Sequence, residues 1–184
     1  MERNDADYAP SVREQTPCGR SRGSGKGSNK AVVAIWVTLL LSGVGYYEYA
    51  RKKAGEEAAR LLNEAYVLYS RQDFAASTEC LRQAAELGNA LAQAYYGGSL
   101  KNGIGTEQDM AAAVKWLRKS AGRKCAMAIY ELGVCYENGE GVERDLDEAE
   151  KWYRKAVDAD AGPAARSSLE RVRSMKEKAD AGAN

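Results

Sequence analysis

The 184-residue chain contains no histidine. That removes the commonest general base and the commonest metal ligand. No S-x-x-K, G-x-S-x-G or H-E-x-x-H pattern occurs, so the usual serine and zinc hydrolase frameworks are missing as well. Proline is scarce at three residues, two of them before residue 30. The rest of the chain can therefore run in uninterrupted helices, and its abundant alanine favours them. Neither sign of charge dominates: the net charge is +1, too small for a field that would gather nucleic acid. Cysteine is sparse and forms no C-x-x-C pair. Cys125 and Cys135 fall on one predicted helix about 15 Å apart along its axis, too far to bridge. Cys80, Cys125 and Cys135 read as small buried hydrophobes. No cofactor and no metal is expected.

Long hydrophobic runs are lacking too, with one exception. Ala31 to Tyr47 is a stretch of 17 residues without a charge. As a helix it reaches about 26 Å, just short of a bilayer's hydrocarbon core. Tyr46, Tyr47 and Tyr49 gather at one end, and Arg20, Arg22, Lys26 and Lys30 precede it. An uncleaved single-pass anchor is the favoured reading, with a cleaved signal peptide and a buried core helix as alternatives. Basic residues are nearly tied on the two sides; the acid-free side before residue 31 tilts the orientation towards N-terminus inside and repeats outside. Residues 1–30 read as a disordered basic tail. Their GSGKGS string lacks the first glycine and the Ser/Thr of a phosphate loop, and no strand precedes it.

Beyond the run, the sequence repeats itself at a spacing of 36 residues. Gly103 matches Gly139, Gly105 matches Gly141, Ala113 matches Ala149, and Trp116 matches Trp152. Gly97 and Gly133 also match, inside predicted helices, where glycine is unfavourable unless a neighbouring backbone approaches closely. These ten positions read as structural: the small ones admit a neighbouring helix, the tryptophans fill the space between helix pairs, and the loop glycines supply turns. Helices are predicted from Asp73 to Leu87, Ala90 to Leu100, Asp109 to Ala121, Ala126 to Glu137, Asp145 to Ala159 and Ala164 to Ala179. Asp145 and Glu148 have capping-box spacing.

The run from Trp116 to Ala156, WLRKSAGRKCAMAIYELGVCYENGEGVERDLDEAEKWYRKA, resembles a Sel-one-like repeat (SLR), a relative of the tetratricopeptide repeat (TPR). The resemblance covers Cys80 to Tyr153, and residues 56–88 look like a shorter TPR unit at Phe74, Ser77, Leu81 and Ala84. Cys80 stands where tryptophan is expected, Leu100 where tyrosine is, and Lys124 where a glycine usually ends the second helix. The last departure suggests a longer or distorted turn there. The resemblance implies an all-α fold: an α/α solenoid forming a right-handed superhelix, to which the sequence adds one transmembrane helix. Its parts are a tail at 1–30, the span at 31–47, a helical stalk at 48–60, repeats at 56–88, 89–124 and 125–160, and a capping helix at 163–180.

The resemblance also implies an adaptor or scaffold that binds a protein or peptide on its concave face, and no enzyme. Positions matching that face are Leu91, Ala94, Gly98, Lys101 and Asn102 in one repeat. In the next they are Met127, Tyr130, Val134, Glu137 and Asn138. Lys101, Asn102, Glu137 and Asn138 are the better ligand candidates, since packing does not require them. A self-associating component of the cell envelope is the alternative. Some cysteine-rich SLR proteins have been linked to β-lactam binding or hydrolysis, but they carry a disulfide in each repeat, and that pattern is absent here.

Overall fold

A computed structural model describes the backbone of residues 29–182. All seven helices among them are α-helices: α1 (Asn29–Ser70), α2 (Phe74–Glu86), α3 (Ala90–Asn102), α4 (Met110–Ala121), α5 (Ala126–Asn138), α6 (Leu146–Asp158) and α7 (Pro163–Gly182). The chain divides into two units, Met1–Gly43 and Val44–Asn184. In the first, the described backbone is helical from Asn29, with Val37 and Leu41 exposed. The expected tail lies outside the described residues except for its last two. The expected span at 31–47 lies in part on side chains outside them, at 31–36, 39 and 40. Among the described residues no helix is long and apolar enough to cross a membrane.

The second unit is a helical solenoid. Ala58, Leu61, Leu62 and Ala65 of α1 are buried together with Leu81, Ala84 and Ala85 of α2 and Ala92 of α3. Each later core joins consecutive helices in the same way. Ala94, Val114, Leu117, Ala128 and Leu132 form the next, and Ala149, Tyr153, Leu169 and Val172 the last. Burying about 25 cal/mol of apolar surface per Å² across each junction is what makes the stack hold, since no single helix pair can cover its own face.

Local chemistry sets the helix starts. Asp73, Asn89, Asp109 and Asp145 each accept a hydrogen bond from a backbone N–H of the first turn they precede, satisfying donors that have no intrahelical partner. The capping box expected at Asp145 is half made: Glu148 turns outward to Lys151, and Asp145 N–H donates to the Tyr136 carbonyl. The turn at Lys124 is one residue longer than its counterpart after α2, four residues (122–125) against three (87–89), and the same in kind. Lys124 adopts a left-handed φ of 63°, as do its 36-residue counterparts Gly88 at 88° and Asp160 at 54°. A lysine accepts here a conformation that costs an L-residue about 1–2 kcal/mol, because the hydrogen bond from Cys125 N–H to Ser120 C=O closes the turn.

The loop glycines explain the spacing of the stack. Gly105, at φ 67°, lies so close to the carbonyl of Phe74 that a Cβ would collide with backbone; Gly141, at φ 69°, meets the carbonyl of Met110 in the same way. Phe74 and Met110 are the first residues of α2 and α4. Each loop therefore rests, backbone to backbone, on the start of the second helix of the preceding repeat. Thr78 reinforces the first contact by donating to the Ile104 carbonyl at 2.8 Å. Gly133 makes room differently: a Cβ there would stand 2.6 Å from the Tyr153 ring.

Candidate functional site

The first helices of successive pairs, α1, α3 and α5, line a groove of about 550 Å³. Its walls are largely apolar and aromatic, with Tyr66 and Tyr69 from α1, Tyr95 from α3 and Met127 from α5. Tyr66, Tyr69 and Met127 are 43%, 52% and 38% exposed, so side chains of this size stand uncovered on one face. Tyr66 and Tyr95 meet edge to face with centroids 5.6 Å apart, and Tyr69 meets Phe74 at 5.1 Å. Such pairs hold rings in place and add about 0.5–1.5 kcal/mol beyond area burial. Partial burial, followed by the hydrogen bond with Tyr95, pushes the Tyr66 phenol up to about 12. It stays protonated, a neutral donor, at any physiological pH.

One end of the groove is polar. Lys101 reaches from α3 to Glu131 of α5 at 2.9 Å and to Glu140 of the following loop at 3.1 Å. Burial opposes its charge, but the two carboxylates outweigh that and raise the ammonium above its ordinary value. Asn102 is the next residue and is exposed, its amide donating to the Gly98 carbonyl at 2.9 Å.

Of the positions read from sequence, Ala94, Gly98, Lys101, Asn102 and Met127 come together in this groove. Leu91 does not; it packs into the core against α1 and α2. Tyr130 and Val134 are half-buried, packed against the core that Ala149 and Tyr153 of α6 form with Leu169 and Val172 of α7. Glu137, expected to be open to a ligand, is held inside the array. Arg171 of α7 grips both its oxygens at 2.9 and 2.8 Å, and Tyr153 donates to it at 2.6 Å. The Arg171 hydrogen bond, helped by that of Tyr153, holds its carboxyl below the usual carboxylate range against a smaller effect of burial. The Tyr153 phenol is correspondingly forced up, by burial first and then by the bond to Glu137. Asn138 is exposed but bonds to Glu140, outside the groove. Lys101 and Glu137 occupy equivalent positions and do the same job: each reaches forward to the first helix of the next unit.

Sequence reading missed Tyr66, Tyr69, Tyr95, Ile104 and Glu131. Tyr69 carried the helical periodicity of a core face, which is indistinguishable from a groove wall until the neighbouring helix is placed. Tyr95 and Glu131 are equivalent positions with different residues, and that difference was the available signal. Burial pushes the Cys135 thiol up to about 11, which makes it a poor nucleophile. Among the described residues, no histidine, cysteine or carboxylate cluster could hold a metal ion.

Residues 68–89, 90–123 and 126–160 match the model of the Sel1 repeat. No curated protein matches the chain by sequence. Among solved structures, the fold is similar to a protective antigen of uropathogenic Escherichia coli strains that displays an SLR fold. The TM-score is 0.61 and the identity 27%, over 64% of this chain and 26% of that one. It is similar as well to a Sel1 repeat protein from Oxalobacter formigenes, with a TM-score of 0.57 and 24% identity over 69% of this chain and 58% of that one. The chain therefore spans about a quarter of the first relative and under two thirds of the second.

Proposed function

Because the chain belongs to the Sel1-repeat family, whose fold typically mediates protein–protein interaction, we propose that it is a scaffold that seats a segment of a partner protein in the groove of α1, α3 and α5. The observation that carries this reading is the row of uncovered Tyr66, Tyr69 and Met127, closed at one end by Lys101, Glu131 and Asn102. Apolar walls with a few placed polar groups suit an extended or helical peptide, the walls supplying affinity and the polar end supplying register. The groove is short, so affinity is modest and gains from confinement. The uncharged run at 31–47 would supply that confinement by anchoring the chain in a membrane, with the array on the outer side.

A photo-crosslinking residue placed at Met127 of the full chain tests the groove, with the same residue at Lys151 as control. One protein adduct at position 127, absent at 151 and lost with Tyr66→Ala plus Asn102→Ala, is the expected result. No adduct at 127 overturns the reading, and an adduct only to a second copy of the chain replaces it with self-association. Extraction of membranes in alkaline carbonate tests the anchor separately: release of the full chain rules it out.

A further inference from the structure

The second helices carry a charge pattern that the groove does not use. Lys115 and Lys119 on α4 and Arg123 two residues beyond its end follow one another at intervals of four and so form one stripe, which Lys124 extends in the turn. All four are exposed, and no carboxylate among the described residues lies within ion-pairing distance of them. The same register on α6 holds Lys151, which Glu148 neutralises, and Lys155, which rests over the Trp152 ring at 4.2 Å just as Lys119 rests over the Trp116 ring at 3.8 Å, so the two helices differ in their acids. The α4 positions equivalent to Glu148 and Glu150 are Ala112 and Val114, so α4 has no acid with which to quench its own cations. On α2 the position equivalent to Arg123 is Leu87, an apolar side chain 42% exposed at the helix tip. The two tips are adjacent: the Arg123 guanidinium lies 3.0 Å from where a Cβ on Gly88 would stand.

We propose that this edge is a docking surface for an anionic lipid bilayer, with Leu87 entering the headgroup boundary and Lys115, Lys119, Arg123 and Lys124 meeting the headgroups. The shape argues for a bilayer over an acidic peptide. These exposed cations line neither the groove of α1, α3 and α5 nor the polar cavity beside Arg118. The nearby polar cavity of about 480 Å³, between Arg118, Arg144, Glu143 and Asp145, mixes both signs and selects neither. A fluid anionic plane needs no groove; it needs unpaired cations in one plane and an apolar tip. The next repeat reverses the sign: Asp158 and Asp160, exposed at the end of α6, are the positions equivalent to Gly122 and Lys124. The surface does not depend on the run at 31–47.

The full chain carrying Leu87→Trp tests this, with emission compared against the parent chain in vesicles whose acyl chains are brominated. The added indole is quenched in vesicles of phosphatidylcholine mixed with phosphatidylglycerol and not in phosphatidylcholine alone. Quenching is lost on combining Lys115→Gln, Lys119→Gln, Arg123→Gln and Lys124→Asn, each neutralised cation weakening contact about fivefold. Thermal melting confirms that this variant still folds. Equal quenching in both vesicles, quenching in neither, or no effect of the four substitutions overturns the proposal. Binding to poly-glutamate without lipid quenching also overturns it, and assigns the surface to an acidic protein.

Discussion

At the scale of single residues, the two full repeats are unequal in ways that register as stability. Asn89 caps α3 by accepting the Ala92 N–H at 2.9 Å; its counterpart Cys125 makes no side-chain cap on α5. Cys125→Asn supplies the missing acceptor and is expected to stabilise the array by about 1 kcal/mol, raising the melting temperature by about 2–4 °C. A thermal melt decides it: an unchanged or lowered midpoint refutes the cap. Gly133 could be singled out from sequence because glycine inside a helix has few causes, but the close neighbour there is the Tyr153 ring and not the backbone that was expected. The roles of Lys101 and Glu137 were not legible. A charged residue on a predicted concave face looks free in a sequence, and only the placement of Glu131, Glu140 and Arg171 shows both engaged.

At the scale of elements, α7 is tied to α5 and α6 by charge as well as by packing. Besides Arg171 on Glu137, Lys176 binds Asp147 and Glu150, and Arg173 binds Glu150. Glu137 and Glu150 both have carboxyls lowered by these hydrogen bonds. A group whose folded pKa is depressed stabilises fully above its unfolded value and ceases to do so as pH falls through the folded one. Docking of α7 is therefore constant at neutral pH and weakens as pH drops below the ordinary carboxylate value of 4.5. Melting curves across that range should show Glu137→Gln less stable at neutral pH than the parent, the gap narrowing in acid. A gap independent of pH means the carboxylate charge is not what holds the helix. A helix after the last repeat was expected from sequence, at 163–180, and α7 occupies that stretch. That Tyr130 and Val134 would be partly buried against the core that α7 completes was not, because Leu169 and Val172 of that core lie 35 to 42 positions away.

At the scale of the whole molecule, the solenoid is stabilised by neighbour contacts alone, so its ends decide its behaviour. Stopping the chain after Gly162 strips Leu169 and Val172 from Tyr130 and Val134 and leaves Ile129 and Ala156 without Ala165. The shortened chain is expected to melt lower and to associate on a sizing column, with the loss spreading from α6 backwards. A monomer with the parent's melting point refutes the capping role. The charges at the junctions carry one more consequence. Backbone contacts such as Gly141 on Met110 would accept any number of units, each placed as the last. The forward-reaching side chains would not. Lys101 ends one unit with a positive charge and finds Glu131 and Glu140 in the next; Glu137 ends that unit with a negative charge and finds Arg171. A gene duplication repeating the 125–160 segment would set a carboxylate at the end of one copy against the two carboxylates that open the other. Copy number in this chain is thus written in the sign of one side chain per unit.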